Sequence, residues 1–146
     1  MTGRVEKLER LLAIRRVTEE MDRSALGFAL ASMAEVEMEM GAQDKALAEA
    51  RITARAALDA GDRNEWLLAD AQGEVAGWNR SKLKVMLAGR AEVAGTAMGK
   101  FIESRREHEQ VKKLVEVAEQ ATRVDEGRRS QAAADDWFLS RRAEEA

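Results

Sequence analysis

The sequence predicts an all-α fold in which two long helices form an antiparallel coiled-coil hairpin, with the C-terminal helix overhanging its partner. Three observations carry that expectation. Proline is absent, so the residue that most reliably interrupts a helix never appears. Charged residues make up 35% of the chain and Ala, Glu, Arg, Leu and Lys dominate, the profile of long helices rather than of ordinary mixed domains. With three Phe, three Trp and no Tyr, little large apolar material is available, so the core must be thin. A chain of 146 residues has the size of one domain, and the whole of it is expected to be a single hairpin.

The first arm is expected over about residues 2–58. One continuous seven-residue frame runs through Leu8, Leu12, Leu26, Ala29, Met33, Val36, Met40, Leu47, Ala50, Ala54 and Ala57, a single stripe on one helix face. Arg15, Glu19, Asp22 and Gln43 interrupt it. A neighbouring stripe of Leu11, Ile14, Met21, Ala25 and Phe28 is expected to cover the charged section by widening the buried face. Met21, Met33, Met38, Met40, Met86 and Met98 are assigned to gap-filling core in preference to a plastic binding surface.

The turn is expected at about residues 59–62. Gly61 suits the left-handed conformation that closes a helix, and Asp62 followed by Glu65 has the spacing of a capping box that opens the next one. The second arm then runs over about residues 62–142, through Trp66, Ala69, Ala76, Leu83, Leu87, Ala94, Ala97, Phe101, Val111, Leu114, Val115, Ala118 and Ala121. Gly73, Gly77, Gly89, Gly95 and Gly99 all lie in this arm. They weaken it or let it approach the Ala-rich stretch Ala46, Ala48, Ala50 and Ala54.

Unequal arms give the hairpin two distinguishable ends. At 1.5 Å per residue the arms measure about 85 Å and about 120 Å. Residue i should face roughly residue 121 − i, which sets Leu8 against Lys113 and Leu114, and Phe28 against Val93. Everything from about Ala118 onward is left without a partner arm. In that overhang Trp137, Phe138 and Leu139 are consecutive, point in three directions on a helix and cannot share one seam. They are assigned to a partner-binding plug rather than to a frayed terminus or a fold-back onto the stem.

Nothing in the chain points to catalysis or to a cofactor. The single histidine, His108, is flanked by Glu107 and Glu109, each about 100° away around a helix, and is expected to be a solvated surface residue. No glycine-rich phosphate loop occurs, and the absence of cysteine removes thiol chemistry and disulfides. No metal site is expected. The net charge of −3 is spread over 24 basic and 27 acidic residues, so there is no single-sign field for nucleic acid or an anionic membrane. No apolar run has signal-peptide or membrane-span length, and a soluble cytoplasmic protein is expected.

The order of several motifs resembles a known family. The stem-turn-stem layout, Asn64-Glu65-Trp66 at the start of the second arm, the stretch Glu107-His108-Glu109-Gln110-Val111-Lys112-Lys113-Leu114, and Arg128-Arg129-Ser130-Gln131 followed by Asp135-Asp136 look like the flagellar FliJ family over nearly the whole chain. That resemblance implies a non-catalytic component of the type III protein export apparatus, similar in architecture to the central stalk of rotary ATPases. Such a protein docks into the hexameric export ATPase, promotes its assembly and activity, and contacts the export gate membrane protein and export chaperones. It is peripheral to the inner membrane through these partners only. The resemblance places Glu109, Gln110, Leu114, Gln131 and Asp135 at the ATPase end, beside the apolar cluster Trp137, Phe138 and Leu139. It places Trp66 and Leu67 at the end facing the gate, although the connection here is shorter than the polar tip found in some members. A generic coiled-coil scaffold or adaptor without an ATPase partner is the alternative.

Overall fold

Gly61 ends the first helix by a backbone conformation that side chains rarely adopt. In the computed structural model, which describes residues 2–145, helix α1 spans Thr2–Ala60 and helix α2 spans Arg63–Glu144. Gly61 has φ 73°. Its N–H donates to the Leu58 carbonyl at 3.2 Å, and the Asp62 N–H donates to the Ala57 carbonyl at 2.9 Å. These are the two bonds of a Schellman closure, and they satisfy carbonyls that the helix end would otherwise leave open. Asp62 also starts α2, because its Oδ1 accepts the Glu65 N–H at 3.1 Å. The N–H of Asp62 is already committed to Ala57, so only the aspartate half of the capping box forms. The two helices pack against each other as an antiparallel hairpin, and no strand occurs among the described residues.

Asp22–Phe101 form one contact unit around the turn. Its buried seam is Leu26, Ala29, Val36, Ala50 and Ala57 on α1 with Ala69, Ala76, Leu83 and Ala94 on α2. Alanine supplies most of these positions, so the helix backbones lie close while each layer buries little area. Among the glycines of α2, Gly73 alone has a neighbour where a Cβ would stand: Ala50 Cβ at 3.6 Å and Leu47 Cδ1 at 3.8 Å. Gly77, Gly89, Gly95 and Gly99 face open space. The expected close approach to the alanine stretch therefore holds at one position. Arg80 and Arg90 also occupy the seam, half-buried. Arg80 pairs with Asp44, and Arg90 donates to the Ser32 carbonyl at 2.9 Å.

Residues up to Met21, together with those from Ile102 onward, form the other unit. Val111 and Val115 are buried there, and Leu8, Leu11 and Leu12 of α1 are half-buried. Burial of α2 reaches further than expected. Ala118, Glu119, Thr122 and Asp125 are all half-buried, and Arg4, Val5 and Leu8 line a groove with Ala118, Thr122 and Asp125. The free extension thus begins at Glu126 rather than Ala118, because the pairing of Arg15 with Glu107 lies slightly beyond the expected register and long side chains at the start of α1 reach further along α2.

The structure corrects the sequence expectation at several apolar positions. Ile14, Met21 and Phe28 are exposed, so no widened face covers the charged section. The seam keeps its heptad phase there and admits Arg15 and Glu19 instead. Leu114 and Ala121 also face outward, since Val115 and Ala118 already hold the seam positions beside them. Of the methionines assigned to the core, Met33 and Met40 are half-buried, whereas Met21, Met38, Met86 and Met98 are exposed. Those four lie outside the frame that Val36 and Leu83 define.

Candidate functional site

The end of α2 is a helix with no cover. Every described residue from Glu126 onward is exposed, and Trp137, Phe138 and Leu139 are 60%, 64% and 63% exposed. Successive residues sit 100° apart on a helix, so these three side chains present apolar surface over much of its circumference. The Arg141 guanidinium lies over the Trp137 ring at 5.1 Å from its centroid, a cation–π contact, and pairs with Glu145 at 3.9 Å. Trp137, Phe138, Arg141, Arg142 and Glu145 together line a shallow groove. One turn earlier, Gln131 Nε2 donates to Asp135 Oδ1 at 3.1 Å, which braces the helix at i, i+4.

The other expected contact residues also face outward. Glu109, Gln110 and Leu114 are exposed. Counted in the heptad frame of the seam, Gln110 and Gln131 hold one outward position, while Leu114 and Asp135 hold another. In the unit around the turn, Trp66 is half-buried and its N–H donates to the Asp62 carbonyl at 3.1 Å, whereas Leu67 is exposed beside Leu68.

His108 is not the solvated surface residue expected from its neighbours. Its Nδ1 donates to Glu19 Oε2 at 2.6 Å, and the two side chains are only 16% and 10% exposed. One layer away, Arg15 Nη1 donates to Glu107 Oε2 at 2.7 Å, and Ser104 is buried. Arg15 Nε and His108 Nε2 are buried without a hydrogen-bond partner. The physical cause is periodicity: His108 stands seven residues after Phe101 and seven before Val115, on the seam itself. Looking only at adjacent glutamates hides this, while extending the apolar frame through charged positions finds it. What the layer provides is positional: matched polar groups inside an apolar seam hold α1 and α2 in one register.

Among the described residues no group of three or more His, Cys, Asp or Glu is placed to hold a metal ion, and no helix is long and apolar enough to cross a membrane. Comparison with protein-family models finds no matching family, and comparisons with curated proteins and with solved structures find no match.

Proposed function

We propose that this chain is a non-catalytic, stalk-like component of the flagellar type III protein export apparatus, which binds the hexameric export ATPase through the C-terminal end of α2. The observation that carries this proposal is the uncovered extension from Glu126, bearing Trp137, Phe138 and Leu139 on its surface. Large exposed apolar side chains near a helix end are the kind that anchor an interface. The resemblance of the motif order to the FliJ family supplies the identity of the partner. The protein is then cytoplasmic, held at the inner membrane by its partners, with Trp66 and Leu67 at the end facing the export gate and chaperones on its sides. ATP chemistry belongs to the ATPase.

The test is ATP turnover by the cognate export ATPase with and without the full chain. Turnover rises on addition, and cutting the chain after Thr122 abolishes the rise. Turnover that stays flat across a wide range of added protein sinks the proposal. A general coiled-coil adaptor is the second possibility, favoured by the apolar side chains on the outer faces of both helices, such as Ile52 and Val85. It predicts no ATPase effect at all.

A further inference from the structure

α1 carries a second stripe that the hairpin leaves open. Phe28, Met38 and Ile52 are 78%, 78% and 70% exposed, yet their spacing is regular. With Ala31, Glu35, Ala42, Lys45 and Glu49 they recur at alternating steps of three and four residues, which is a heptad stripe on the side of the helix facing away from Ala29, Val36 and Ala50. Beside it, one heptad apart, run Gly27, Ala34, Gly41 and Ala48. A Cβ at Gly27 or Gly41 would meet nothing within 4 Å. Packing within the hairpin therefore gives no reason for glycine there, although glycine weakens a helix interior. A second helix lying close along this face does give one.

The charges on the stripe identify what covers it. Glu35 pairs with Arg90 at 3.8 Å, yet its side chain remains 76% exposed and open to a second cation. Lys45 makes no ion pair among the described residues. Laid antiparallel on itself about a two-fold axis between Met38 and Ala42, the stripe brings each Glu35 against the other copy's Lys45. The same operation sets Met38 against Ala42 and Phe28 against Ile52, and places Gly41 next to the axis, where the backbones come closest. One symmetry operation thus gives Lys45 an opposite charge and sets no like charges of the stripe against each other, as an isologous interface requires.

We propose that the outer face of α1 from Gly27 to Ile52 is the interface of a homodimer, in which two hairpins pair antiparallel through α1. The interface stands independently of the export reading. Sedimentation equilibrium of the full chain across the micromolar range tests it. The mass doubles with concentration. Glu35→Lys alone and Lys45→Glu alone each weaken the dimer about tenfold or more, since each places two like-charged pairs in the interface. Combining the two substitutions restores it. Gly41→Leu abolishes the dimer while circular dichroism shows helix content kept or raised. A chain that stays monomeric throughout overturns the interface, as does a dimer indifferent to Glu35→Lys, or a double exchange no better than its single components.

Discussion

His108 and Glu19 meet inside a seam otherwise built from alanine, leucine and valine, and the energetics of such a pair are asymmetric. A hydrogen-bonded pair in a mostly buried seam returns little net stability, but removing one member takes from the other a partner that water replaces poorly there. His108→Ala is expected to destabilise the fold by about 1–3 kcal/mol, while Glu19→Leu combined with His108→Leu leaves stability unchanged or raises it. Urea unfolding of the three proteins measures both. If His108→Ala unfolds at the midpoint of the parent, the pair has no structural role. The apolar variant is also expected to lose uniqueness of register, since the matched pairs Arg15 with Glu107 and Glu19 with His108 disfavour a slip by one heptad. Residues such as these were the least legible in the sequence. A search for apolar periodicity treats a charge as an interruption, and only its cross-helix partner reveals that it belongs to the seam.

At the scale of the helices, the balance lies between propensity and packing. Alanine is the best helix former but buries little surface, so α1 and α2 are held by many thin layers rather than a few thick ones. Gly73 is where this balance is most easily shifted. A methyl group there would reach ordinary van der Waals distance from Ala50 and Leu47, filling space without collision. Gly73→Ala is expected to stabilise the protein by about 0.5–1 kcal/mol, read as an upward shift of the thermal midpoint. A loss of stability would mean that the helices need a closer approach than the structure gives them. Much of this level was legible. The frame from Leu26 to Ala57 and from Ala69 to Ala97 lies on the buried or half-buried side, and Gly61 closes α1 and Asp62 opens α2 as their types dictate. The outward turn of Phe28 and Met38 was not legible, because a second heptad stripe on one helix has the same spacing as the first and periodicity alone does not say which one the hairpin uses.

For the molecule as a whole, an antiparallel hairpin orders its own assembly. Contacts beside the turn join residues close in sequence, whereas Arg15 and Glu107 are 92 residues apart. Loop closure is cheapest for the near contacts, so the helices should zip from Gly61 outward. Ala57→Gly is expected to slow folding, while Val111→Ala acts mainly by speeding unfolding. Stopped-flow measurements of both rates separate the two, and a reversed pattern would place the nucleus away from the turn. The free end of α2 stands outside this cooperative process. From Glu126 onward no neighbouring helix supports it, and an isolated helix of that length is marginal in water. Its helical and melted forms are therefore in ready exchange, and a partner that grips the helical form sees an affinity scaled down by the fraction still wound. On the proposed mode of binding, warming would loosen a contact made through Trp137, Phe138 and Leu139 well before it disturbed the seam, so that the extension would act as a thermal attenuator.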